Sequence, residues 1–227
     1  MYGDTHVDPA PLFDPDHGGR PPDDAWDLYF QTPISLSLLG DAYATHGMTY
    51  ELDQLLDLYA GLAAATVVDV QRQGGYVTGG HRGRAVPARL DITALVENAV
   101  PGEPTMRLHT HVYVGRTGTA LETGERHPVH PNELREAANH AWRTYLTRLV
   151  NQTSDVLGLD WAPVPGHTSG DVEVVDPPLA EHVADHHFGV CPGAYGPREQ
   201  VMADARWRAG VAESARIIAA EQARRTG

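Results

Sequence analysis

The sequence predicts an α+β fold, a central antiparallel or mixed sheet with helices packed on it in a single domain. Two segments, 49–73 and 132–150, repeat apolar residues at the three-to-four spacing of a helix with one buried face. Short β-rich runs lie before, between and after them. These elements do not alternate as regular βαβ units, so a doubly wound parallel sheet is not indicated. A chain of 227 residues that is 41% hydrophobic is large enough for one sizeable core.

Taken in order, residues 1–25 hold repeated Asp-Pro and Gly-Gly elements without periodicity and read as an irregular or disordered arm. Trp26 to Phe30 reads as a short strand, Thr32-Pro33 breaks it, and Ser35 to Leu39 opens the next element. In the helix at 49–73, Leu52, Leu55, Leu56, Tyr59, Leu62 and Ala63 share a face. Thr49 is its expected N-cap and Gly74-Gly75 its stop. A Gly/Arg loop at 79–84 and a strand at 90–96 follow, then a Pro/Gly loop, then an apolar run containing two histidines. Residues 115–131 read as a polar loop. Pro131 suits the first turn of the helix at 132–150. Leu159 to Trp161 pairs with Asp171 to Val175 as a hairpin, and a last helix covers about 197–224. The expected organisation is an arm (1–25), a metal-binding domain (26–185) and a C-terminal loop and helix (186–227).

Charge and cysteine usage narrow the function classes. Thirty acidic residues face 17 basic ones, all arginine, for a formal net charge of −13. Arginine in place of lysine, with abundant Ala, Gly and Pro, fits a GC-rich coding genome. The acidic balance opposes an extended nucleic-acid surface, because phosphate neutralisation supplies most non-specific affinity. No apolar run approaches the ~18 residues that span a bilayer, and the first twenty residues lack the apolar core of a signal peptide. Cys191 is the single cysteine, which fits a reducing compartment, and a cytoplasmic location is expected.

Chemistry concentrates at Leu108-His109-Thr110-His111-Val112. In a strand, residues i and i+2 share a face, so His109 and His111 aim two imidazoles into one space. Paired neutral imidazoles suit a divalent transition metal, although two solvent-facing edge histidines have the same spacing. Other clusters carry less. His127 and His130 flank prolines as solvated loop residues. His182 and His186 have helical spacing, and with His187 they read as surface or substrate-facing groups, without the glutamate of a zinc-protease motif. Cys191 has no nearby base in sequence. Arg82 and Arg84 suit an anion or a solvated loop equally.

The order of segments resembles a known family. An aspartate strand (Trp26-Asp27-Leu28-Tyr29-Phe30) leads to a Pro-x-Ser-x-Ser-Leu-Leu turn (33–39), then a long helix, a Gly-rich turn, a strand and Leu-His-Thr-His-Val. The helix at 132–150 and Leu157-Gly158-Leu159-Asp160-Trp161-Ala162-Pro163 follow. Over about residues 26–185 this looks like the relaxase domain of MobF-type conjugative relaxases, in the HUH endonuclease class. The resemblance implies a tyrosine that attacks a phosphodiester of single-stranded DNA and becomes linked to its 5′ phosphate. It implies a divalent metal held by three histidines as Lewis acid, and an aspartate that transfers the proton or supports a ligand.

Carried over, His109 and His111 match the paired ligands and Asp27 the strand aspartate. The third-histidine position is Asn98, preceded by Glu97, so one of these oxygens is the expected third ligand. Ile34 replaces the family's lysine, and the strand preceding the family's tyrosines has no recognisable equivalent. Tyr2 is the only tyrosine before Trp26, while Tyr29 sits on the aspartate strand opposite Leu28 and Phe30. The expected function is therefore a relaxase-fold metalloenzyme using Zn, Mn, Mg, Ni or Cu, with Asp27 for proton transfer. Charge favours a small-molecule substrate. Single-stranded DNA nicking and joining, or an inactive metal-binding accessory role, are the alternatives.

Overall fold

A computed structural model describes residues 7–79, 83–99, 106–163 and 172–174. In order these form β1 (Trp26–Gln31), α1 (Ile34–Thr45), α2 (Thr49–Gly74), β2 (Tyr76–Gly79), β3 (Arg84–Glu97), β4 (His109–Ala120), β5 (Arg126–Pro128), α3 (Pro131–Leu157), β6 (Trp161–Pro163) and β7 (Val172–Val174). The architecture is α+β, as expected. Two contact-defined units make up the chain: one from residues 1–30, 58–96 and 109–149, the other from 31–57, 97–108 and 150–227.

The first unit holds the sheet, whose order is β1-β4-β3-β2 with β5 paired to β4. β2 and β3 pair antiparallel from Tyr76–Pro87 to Gly79–Arg84, and β4 and β5 do so through Thr117–Pro128. Helices α2 and α3 cover one face. Phe30 of β1, 2% exposed, packs its ring 5.5 Å from that of Tyr145 in α3. Gln71 of α2 is fully buried because both ends of its amide are used. It donates to Ala88 O (2.9 Å) and accepts from Leu90 N (2.8 Å), tying the helix to β3. Arg148 and Asp69 join α3 to α2 through an ion pair.

Deep between the same helices, the Tyr145 hydroxyl donates to the Tyr59 hydroxyl at 2.7 Å. Burial pushes the Tyr59 phenol up to about 12 and raises that of Tyr145 as well. Both groups therefore favour the neutral phenol, and the stability they add is complete below the unfolded pKa of about 10. It is lost as pH rises through the folded value. A thermal midpoint flat to about pH 9 and falling steeply between about pH 10 and 12 is expected. A shift of two units corresponds to about 3 kcal/mol for Tyr59, and a Tyr59→Phe variant melting less steeply over that window checks the source.

In the second unit, α1 is buried along Ser35 to Gly40, and its serines carry backbone bonds rather than facing water. Ser37 Oγ accepts from Leu108 N (3.0 Å), and Thr32 Oγ1 donates to Leu108 O (2.8 Å). Ser35 Oγ accepts from Val174 N of β7 at 2.8 Å. The Pro-x-Ser-x-Ser turn thus satisfies main-chain groups that burial would otherwise leave unpaired. The expected hairpin is present, with Trp161 opposite Val174.

Two local expectations are corrected. Thr49 lies inside α2, because Leu52 N donates to Met48 O. Residues 115–131 are not a loop: β4 runs on to Ala120 and returns through β5. Gly124 (φ +73°) supplies the left-handed residue of the turn. Residues 7–25 are irregular but pinned, since Ala10 bridges Asp91 of β3. His130 also has a structural task, its Nδ1 accepting from Glu133 N (3.5 Å) at the start of α3. The helix expected at 197–224, His182, His186, His187, Cys191 and Tyr2 lie outside the described residues. No helix among the described residues is long and apolar enough to cross a membrane.

Candidate metal centre

Alternation along β4 gives the His-Thr-His motif two faces. Thr110 is fully buried and turns toward the helices, beside the Tyr59 and Tyr145 hydroxyls. His109 and His111 point to the other face, their ring centroids 5.2 Å apart. His109 is 4% exposed, while His111 retains more contact with solvent.

The last residue of β3, Glu97, completes the group. One ligand atom each from Glu97, His109 and His111 lie within 4.8 Å of one another, the one such group of three among the described residues. Donors bound to a common ion at about 2.0–2.2 Å sit at most about 4.4 Å apart, so side-chain movements of a few tenths of an ångström close the set. Two imidazoles and a carboxylate suit a divalent cation and leave positions for an oxygen ligand. Asn98 follows in a bend, exposed, with its main-chain oxygen accepting from Arg107 N at 2.8 Å.

Asp27 of β1 sits behind one of the two histidines. His111 Nδ1 is 2.9 Å and 3.0 Å from its two carboxylate oxygens. A carboxylate only accepts, so the ring proton belongs on Nδ1 and Nε2 is left bare for a cation. This is the usual way an outer carboxylate fixes a ligand's tautomer and plane. Two residues along the same face, Tyr29 is 49% exposed. Its ring centroid lies 5.4 Å from that of His109 and 5.1 Å from that of His111. Strand alternation puts Tyr29 beside Asp27, but sequence alone did not place its ring against both imidazoles. Tyr113, stacked on His111, had no signal beyond its i+2 spacing.

The sheet has helices on one face and, on the other, a histidine-carboxylate cluster able to hold a divalent cation, and its fold resembles that of relaxases. The likeness extends to particular structures of the conjugative relaxase TrwC in complex with oriT DNA. The metal-bound complex superposes with a TM-score of 0.55 at 15% identity, over 87% of this chain and 72% of that one. The metal-free complex gives 0.53 at 17%, over 88% and 73%. The copper-bound one gives 0.52 at 16%, over 87% and 70%. At such identity the likeness shows the fold. No protein-family model matches the sequence, and no curated protein matches it.

Proposed function

We propose that this protein cleaves and rejoins single-stranded DNA by metal-assisted transesterification, with Tyr29 as the nucleophile. The observation that carries the reading is the exposed Tyr29 ring packed against both histidines of the metal cluster. TrwC's complexes with oriT DNA on the same fold support it. A bound divalent cation would polarise the scissile phosphate as a Lewis acid. His109, His111 and Glu97 would hold it, and Asp27 would keep the His111 ring in place. Asp27 is also the nearest carboxylate along β1 to take the phenolic proton. Tyr29 Oη then bonds to phosphorus as the P–O3′ bond breaks, and the 3′ oxygen leaves with that proton. The exchange of one phosphodiester for another needs no external energy and reverses on rejoining.

A second reading, a relaxase-fold metalloenzyme for a small molecule, is favoured by the net charge of −13. The two separate in one experiment. The full chain is incubated with Mn²⁺ and a randomised pool of end-labelled single-stranded oligonucleotides. A labelled adduct that survives denaturing electrophoresis and vanishes with chelator is expected. Absence of both adduct and cleaved strands overturns the DNA reading and leaves the small-molecule one.

A further inference from the structure

The metal-bearing side of β4 is crossed by the N-terminal arm. Ala10 N donates to Leu90 O (2.9 Å), and Ile92 N to Ala10 O (2.7 Å), fastening the arm to β3. Three residues on, one hydroxyl makes three bonds. Thr93 Oγ1 accepts from Leu12 N (2.9 Å) and Phe13 N (3.2 Å) and donates to Phe13 O (3.0 Å). Leu12 lies over Gly115, where an added Cβ would sit 3.1 Å from Leu12 Cδ1. The missing side chain lets the arm lie close.

Phe13 meets Tyr113 edge-on, with centroids 5.8 Å apart and planes at 65°. Tyr113 in turn stacks on His111 at 5.6 Å and 8°. The His111 ring is therefore held at Nδ1 by Asp27 and across its plane by an aromatic pair anchored in the arm. Edge-on and offset aromatic pairs are favoured by the ring quadrupoles beyond the area they bury. Outer partners that orient a ligand change metal affinity by roughly 10–100-fold.

We propose that Phe13 is a positioning residue of the metal centre. Docking of residues 10–13 fixes Tyr113, Tyr113 fixes the plane of the His111 ring, and arm docking and metal binding strengthen each other. By linkage the coupling runs both ways. This inference needs the metal cluster but not the DNA reading.

The test uses the full chain and Zn²⁺, with affinity read by competition against a chromophoric chelator and the Co²⁺ absorption band as a spectroscopic signature. Phe13→Ala removes the ring. Thr93→Val is nearly isosteric, keeps strand propensity and removes the three arm bonds. Both variants are expected to bind Zn²⁺ about tenfold more weakly and to shift the Co²⁺ band, with Phe13→Tyr restoring both. In the wild type, Zn²⁺ is expected to slow chymotryptic cleavage after Phe13. Wild-type affinity and an unchanged Co²⁺ band in Thr93→Val and Phe13→Ala would overturn the proposal. Equal losses in Phe13→Ala and Phe13→Tyr would overturn it too. Absence of Zn²⁺ binding by the wild type would overturn the metal centre, and the proposal with it, whatever the protein does to DNA.

Discussion

Tyr29→Phe is expected to abolish the covalent DNA adduct and to lower strand cleavage by at least about a thousandfold, while Mn²⁺ affinity stays within about twofold. Loss of a covalent nucleophile removes the whole pathway rather than one stabilising contact. The ring itself is retained, so its packing against His109 and His111 persists. Half of the residue is exposed and the ring is kept, so the fold is expected to melt within a few degrees of its wild-type temperature. Peptide mapping of the wild-type adduct should place the nucleotide on Tyr29. Cleavage at an unchanged rate in Tyr29→Phe would point to water as the nucleophile. An adduct mapped to Tyr50, the other strongly exposed tyrosine among the described residues, would relocate the chemistry.

Replacing His109 and His111 together by alanine is expected to empty the centre, with metal content falling from about one equivalent to background. Glu97 alone gives one oxygen ligand, too few to hold a divalent ion against water and buffer. His109 is buried, so truncation there also leaves a cavity, and circular dichroism must accompany the metal analysis. The gentler comparison is Asp27→Asn, which keeps shape and hydrogen bonding but withdraws the charge from His111 Nδ1. Metal content by mass spectrometry, equal in the double variant and the wild type, would show that the histidines are not ligands.

Much of this centre was legible in the sequence, for reasons particular to strands. A period of two is short enough that His109 and His111 share a face wherever β4 begins, and the same rule puts Asp27 beside Tyr29. Helices α2 and α3 announced themselves by long apolar periodicity. What escaped was the distal half of β4 with β5: Gly115-Arg116-Thr117-Gly118-Thr119 is too polar and glycine-rich to show alternation. The arm escaped for a related reason. Its few apolar residues gain meaning only against Gly115 and Tyr113, about a hundred positions away. The third ligand divided by adjacency, because Glu97 and Asn98 are neighbours and only the end of β3 decides which one reaches the histidines.

His109, Thr110 and His111 show that the protein writes two messages in one strand. Odd positions spell the site and even positions spell the core. Inserting or deleting one residue after Leu108 would exchange them, sending imidazoles under the helices and the threonine toward the ligand side. Drift in length is thus punished twice, once as misfolding and once as loss of chemistry. The bonds from Ser37 and Thr32 to Leu108 stand at the position where that frame begins. Variants that survive insertion scanning should therefore cluster in the 121–124 turn and be missing from 108 to 114.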